Sequence, residues 1–238
     1  RPQPAAMLAP YEGEPHNRGM LLLDAEELFE RGRPAVENGL SLAVHAIGDR
    51  ANHEVLKAYA QLREYEAGLP GYHPERRLRH RIEHVQVIHP QDTRRLAQLG
   101  VIASMQPIHA TSDMLMADRF WGSRAALSYA WRTQLEAGAT LVFGSDAPVE
   151  SPNPFLGLHA AVTRQRVDGS PGAQGWYPEQ RLNFLEALQA YTTGPAYAAG
   201  WEDSLGRLSP GYHADLIVLD EDPLTFAPET LAGVEPVG

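Results

Sequence analysis

Two rhythms of apolar and polar residues alternate along this chain. The first 20 residues hold four prolines and no periodicity, which predicts a loop. Asp24 has the character of an N-cap, and Leu28, Phe29 and Val36 supply part of the apolar face of a helix ending before Gly39. The run LSLAVHAI, Leu40–Ile47, is short and apolar with a histidine near its end, and it predicts a buried strand. Asp49 can cap the next segment, where Val55, Leu56, Tyr59 and Leu62 fall at helical spacing.

The same alternation then repeats. LRHRIEHVQVI, Leu78–Ile88, predicts a second strand; Pro90 opens a helix that closes on Gly100; VIASMQP, Val101–Pro107, predicts a third strand. A long connection rich in Met, Trp and Arg follows, with a helical segment over Trp131–Ala137. ATLVFGSDAPV, Ala139–Val149, predicts the fourth strand. Asn153 and Pro154 open a helix through Arg166, Asp168–Gly175 is a loop, and Asn183 caps a helix running to Ala199. Strand and helix in strict succession imply an α/β fold with a parallel sheet. After Trp201 the rhythm changes: Gly206–Pro223 reads as two short strands around a Pro-Gly turn, a β hairpin from a second, smaller domain.

Composition narrows the chemistry. The 238 residues carry no cysteine, which removes disulfides, thiolate zinc sites, iron–sulfur clusters and a cysteine nucleophile, and suits a reducing, cytoplasmic setting. A net charge of −10 argues against nucleic acid as a main partner. No run approaches the roughly 18–20 apolar residues of a membrane helix, so no membrane partner is expected.

The polar residues that stand out lie at the C-terminal ends of the four strands: His45, His84, Gln106 and Asp146. That edge of a parallel sheet carries the active site. Two imidazoles and a carboxylate there suit a divalent metal, with aspartate able both to ligate and to accept a proton from water. Taken singly, each has a plain alternative: a hydrogen-bonded strand histidine, or an aspartate closing a turn. His53, His73, His89, His159 and His213 read as solvated helix or loop residues. His80-Arg81-Ile82-Glu83-His84 matches the H-x-x-E-H pattern of inverted zinc peptidases, which needs a helix. The flanking Leu78, Val85, Val87 and Ile88 favour a strand, where His80 and His84 lie about 13 Å apart at ~3.3 Å per residue and cannot share an ion.

VHAIGDRAN (Val44–Asn52), HRIEHVQ (His80–Gln86), ASMQP (Ala103–Pro107), FGSDAPV (Phe143–Val149) and the closing GRLSPGYHADLIVLDEDP occur in order. Together they resemble the metal-dependent amidohydrolase superfamily, in its amidohydrolase 3 branch, which includes N-substituted formamide deformylases. The resemblance implies a TIM-like (β/α)8 barrel with one or two metals at the strand C-termini. It matches His45 and His84 to the metal histidines ending strands 5 and 6, and Asp146 to the ligand and general base ending strand 8. The strand ending in Gln106 would be the seventh, and its following loop, with His109, Asp113, Arg119, Phe120 and Trp121, would face substrate. Met114, Leu115, Met116 and Phe120 read equally well as core.

The family's first-strand His-x-His is missing from these ten histidines, and Lys57, the one lysine, lies in a helix and cannot bridge metals. A full barrel typically takes about 250 residues. The chain is therefore expected to be the C-terminal half of a longer amidohydrolase: residues 1–200 a partial barrel with strands 5–8, residues 201–238 the C-terminal segment of the small β-sandwich. Its open sheet edges favour self-association into homo-oligomers. The expected activity is hydrolysis of a C–N bond in a small-molecule amide or formamide. The expected cofactor is a divalent metal, Zn²⁺ foremost, with Asp146 as base, and the piece alone is expected to be inactive. Two alternatives are a catalytically incomplete module that folds, self-associates and binds metal weakly, and an α/β protein in which His45, His84 and Asp146 are structural. Asp49 and Glu83 are candidate partners for the metal histidines.

Overall fold

The computed structural model describes residues 5–238. Contacts divide the chain into two compact units: one runs up to Ser104 and resumes over Leu115–Thr140, the other comprises Met105–Met114 and Leu141–Gly238.

In the first unit, α1 (Ala25–Glu37) starts on a reciprocal cap: the Asp24 carboxylate accepts the Glu27 N–H at 2.9 Å and Glu27 accepts the Asp24 N–H. It packs on α2 (Asp49–Ala67), across Gly32, where a Cβ would stand 2.8 Å from Leu42 and 2.9 Å from Leu62. Three parallel strands, β1 (Ala43–Ala46), β2 (Arg81–His84) and β3 (Ile102–Met105), pair in register Val44↔Ile82 and Ile82↔Ala103. Leu56, Tyr59, Leu62, Ile82, Leu96 and Ile102 form the core beneath them. The short α3 (Arg95–Leu99) closes on Gly100 at φ 59°, the left-handed ending anticipated for it.

β2 is shorter than the expected Leu78–Ile88 strand, for a definite reason. His84 and Val85 both have positive φ (77° and 44°), which turns the chain out of the parallel ladder. Beyond the turn the backbone pairs antiparallel: Tyr129 N–H donates to Gln86 O at 2.8 Å, and Val87 bridges Ser128. The Met-rich connection is not a loop but α4 (Pro107–Trp121), continued by a 3-10 segment, Gly122–Leu127, before α5 (Trp131–Glu136). Met114 and Trp121 are buried, whereas Leu115 is exposed.

One side chain gathers the turns after β1 and β2. The fully buried Asn52, one turn into α2, donates from Nδ2 to Ala46 O (3.2 Å), Gly48 O (3.1 Å) and Val87 O (3.0 Å). A Cβ on Gly48 would fall 1.9 Å from Ala6 O, so the chain can pass there only as glycine.

In the second unit, β4 (Leu141–Phe143) is wholly buried against α7 (Phe184–Tyr191) and α8 (Thr193–Ala199). The single helix expected over this stretch is broken at Thr192. Pro195 supplies no N–H to a continuous ladder and its ring collides with the carbonyl four residues back, so it sits in the first turn of a new helix. α6 (Pro154–Thr163) stops short of Arg166 on a left-handed Arg164 and packs against the 3-10 turn Pro228–Gly233. His159 is buried on α6, not solvated as its sequence position suggested.

The hairpin expected over Gly206–Pro223 forms only its turn, with Tyr212 N–H donating to Ser209 O and His213 N–H to Ser204 O. The flanking residues make no strand. Val218 instead exchanges backbone hydrogen bonds with Val237 and Gly238, because an apolar run specifies that a strand needs a partner but not which. No helix of the described residues is long and apolar enough to cross a membrane.

His80 is completely buried, stacked on Tyr59 with ring centroids 5.0 Å apart, its Nδ1 accepting the Leu42 N–H at 3.0 Å and its Nε2 without a partner. Burial, then the nearby Arg63 charge, pushes its pKa down to about 3. The unfolded chain therefore takes up a proton below about 6.5 that the fold refuses. The stability tied to this site is complete above that pH and is lost as pH falls toward 3, by up to about 1.4 kcal/mol per pH unit. Urea midpoints at pH 7.5 and pH 5 should fall less for His80→Gln, which keeps an acceptor, than for wild type; equal falls would overturn the assignment. For Asn52, replacement by Asp points an acceptor at three carbonyls. It should cost about 2 kcal/mol more than Asn52→Ala, read from the same denaturation curves. An Asp variant as stable as the Ala variant would contradict the role given to the Nδ2 donor.

Candidate metal centre

Within the first unit, β1 carries His45 on its exposed face and β2 ends on His84. The register pairs His84 with Ala46 rather than with His45. Neighbours paired across a sheet point to the same face, so a regular pleat would send His84 away from His45. The left-handed φ of 77° reverses the direction of the His84 side chain, and the two imidazoles meet edge to face with centroids 4.5 Å apart. The distortion that ends β2 is thus what brings the histidines together, and such strain concentrates at functional sites. The two carboxylates expected beside them are engaged elsewhere: Asp49 Oδ1 accepts the Leu8 N–H at 2.8 Å, and Glu83 Oε1 takes Arg81 Nε at 2.5 Å.

Within the second unit, Gln106 follows β3 and is buried, and its carbonyl accepts the His109 N–H at 3.1 Å. That places His109 in the first turn of α4. Its Nε2 stands 3.5 Å from Asp146 Oδ2, and its Nδ1 stands 3.3 Å from Glu150 Oε1. Ser112 Oγ donates to the same Glu150 oxygen at 2.8 Å. Asp146 lies just beyond β4, itself left-handed at φ 56°, with its side chain 42% exposed. Its carbonyl accepts the Val149 N–H at 2.8 Å, closing the turn that carries Glu150 back toward α4. The structure thus joins His45 to His84, and Asp146 to His109.

Arg119 is exposed in the last turn of α4, its guanidinium 5.1 Å from the Phe120 ring centroid. Trp121 is completely buried in the first unit, and burial pushes the pKa of the Tyr11 phenol up to about 12. Glu150 and Ser112 escaped the sequence reading. Glu150 sits four residues past Asp146 and Ser112 three past His109, but only the fold turns those spacings into one hydrogen-bonded group.

The model of the amidohydrolase family matches residues 1–238. The curated protein LONG AFTER FAR-RED 3 of Arabidopsis thaliana is 37% identical over 88% of this chain and 34% of its own length. The putative amidohydrolase YtcJ of Bacillus subtilis (strain 168) is 34% identical over 95% of this chain and 41% of its own length. Among solved structures, an uncharacterized metal-dependent hydrolase from Pyrococcus horikoshii OT3 superposes with a TM-score of 0.81. It is 30% identical and covers 95% of this chain and 43% of its own. The chain therefore spans well under half the length of these relatives.

The left-handed backbone at Asp146 has a measurable cost. Asp146→Gly and Asp146→Ala both delete the carboxylate, but only glycine escapes the Cβ clash at φ 56°. After the entropy glycine loses on folding, the Gly variant should still be more stable than the Ala variant by about 1 kcal/mol in urea denaturation. A less stable Gly variant would show that the turn is not strained.

Proposed function

The chain belongs to the amidohydrolase family, and on that premise we propose that it carries one side of the active site of a metal-dependent hydrolase. In this reading its strands are the fifth to eighth of a (β/α)8 barrel, with residues 201–238 belonging to a small β-sandwich. The reaction is hydrolysis of a non-peptide C–N bond, in a small-molecule amide or formamide. The observation that carries the proposal is the contact between His45 and His84, at the C-terminal ends of adjacent parallel strands and made by a distorted backbone.

The donor set fits a divalent ion. His45 and His84 offer ring nitrogens and Asp146 a half-exposed carboxylate, the borderline nitrogen and oxygen donors that zinc accepts while leaving a position open. When bound, such an ion polarises the scissile carbonyl and acidifies the attacking water. The residues of this chain supply the rest. His45 and His84 hold their rings edge to face, so each keeps its own direction. Asp146 takes the proton from the attacking water at Oδ2. The C–N bond then breaks, and Asp146 returns that proton to the leaving nitrogen, which departs as the amine while the acyl carbon retains the water oxygen. Gln106 and His109 are assigned to substrate beside the reacting group, and the exposed Arg119 to its far end; Trp121, expected to face substrate, is completely buried and is left to packing.

The test uses the natural full-length protein. Purified wild type should contain about one or two equivalents of zinc by elemental analysis and hydrolyse N-acyl and N-formyl amines. Chelation should abolish the activity and zinc should restore it. Asp146→Asn should lower kcat by roughly 10³-fold or more with a normal melting curve, consistent with loss of a positioned base. His45→Ala and His84→Ala should each lose metal. A fully active Asp146→Asn enzyme, or activity indifferent to chelation, would return these residues to structural roles.

A further inference from the structure

In the first unit, residues 6–12 cross the turns that follow both histidines. One end is fastened after His45, where α2 begins. The first N–H groups of a helix have no partner inside it, and Ala6 O takes two of them, from Arg50 at 3.1 Å and Ala51 at 3.3 Å. Asp49 Oδ1 accepts the Leu8 N–H at 2.8 Å. The other end is fastened to the 3-10 segment Gly122–Leu127, whose Leu127 O accepts the Ile88 N–H of the chain after His84 at 3.2 Å. There Arg124 donates from Nη1 to Ala9 O at 2.8 Å, from Nη2 to Pro10 O at 2.7 Å and from Nε to Trp121 O at 3.0 Å. Glu12 N–H donates to Phe120 O at 2.9 Å. Each crossing passes a glycine: a Cβ on Gly48 would strike Ala6 O, and one on Gly122 would stand 2.5 Å from Glu12 Oε1. Met7 and Tyr11, between the ends, are buried. Ala5, Ala6, Val44, His45 and Gly48 share in lining a cavity of about 380 Å³, so on this flank hydrogen bonds rather than packing hold the turn.

We propose that residues 6–12 are a strap that holds the turn after His45 to the turn after His84, and that Arg124 is the positioning residue that fastens it. This role rests on the reading of the two histidines as metal ligands. Among the described residues β1 pairs with β2 alone, so its ladder steadies the turn after His45 from one side only. Asn52 ties the two turns from within α2. The strap ties them a second time, by a route that shares no hydrogen bond with the first. Ligands lose affinity when their supports loosen, although the supports never touch the ion. Arginine suits the task because its planar fork spans two successive carbonyls, whereas lysine is a single point donor.

Two measurements on the full-length protein test this. The first needs no metal: hydrogen exchange at the Arg50 and Ala51 amides, which sit at the opposite end of the strap from Arg124. Arg124→Ala should speed their exchange about tenfold as the strap lifts. The second is zinc affinity, read by competition with a chromophoric chelator. It should fall about tenfold in Arg124→Ala, the low end of the range for groups that support metal ligands. Deleting a positive charge by itself favours a cation, so a weaker zinc site reports position and not charge. Arg124→Lys should lie between wild type and Arg124→Ala in both readouts, and it carries the test if Arg124→Ala does not fold. Asp24→Ala, which removes the cap of α1, is the control for lost stability. It should lower the melting temperature and leave both readouts at their wild-type values. Unchanged exchange at Arg50 and Ala51 overturns the strap, and unchanged zinc affinity overturns its positioning role. So does an equal loss in Asp24→Ala. Failure of the ligand reading shows separately, as a wild-type protein that binds no zinc, and the exchange at Arg50 and Ala51 then still decides whether the strap exists.

Discussion

The donor amide of Asn52 is the constraint on which the histidine end of the sheet depends. β1 and β2 are four residues each, too short for their ladder to fix where the chain goes after His45 and His84. Three carbonyls from two segments, Ala46 and Gly48 after β1 and Val87 after β2, converge on one buried Nδ2. Buried carbonyls without donors are costly, so the two turns cannot drift apart without opening this cluster. Gly48 makes the arrangement possible, since any side chain there would strike the Ala6 carbonyl. The turns that follow the two histidines are held together from behind, through backbone.

Much of this was legible beforehand. The four strands and most of the helices sit where period and capping put them, because Asp24, Asn153 and Asn183 all cap as their types suggest. What periodicity missed follows from interactions outside its window. β2 stops at His84 since residues 86–88 find an antiparallel partner some 40 positions on. α4 was hidden by its composition: Pro107 opens it and Met, Trp and Arg populate it, without a clean apolar stripe. The hairpin near the C-terminus was read from apolar runs alone, and Val218 chose another partner.

The site was half legible for a related reason. His45, His84 and Asp146 announce themselves as polar residues closing apolar strands. The residues that orient others do not. Asn52 and Arg124 lie in helices or turns with unremarkable neighbours, and their roles exist only as distances. His80 shows the converse: a histidine in a suggestive motif turns out to be a buried acceptor for the Leu42 amide, stacked on Tyr59 and remote in chemistry from His84.

His84 and Asp146 share one further property, a left-handed backbone at the end of a strand. In each, the direction of the Cα–Cβ bond is set by the main chain and not by rotamer choice. The vector along which a donor is presented is therefore independent of the donor itself. Aspartate, asparagine or histidine would leave either position along the same line, all three being types that tolerate this conformation better than most. A lineage built on this scaffold can exchange the hardness of its ligands by single substitutions, without rebuilding the strands that aim them.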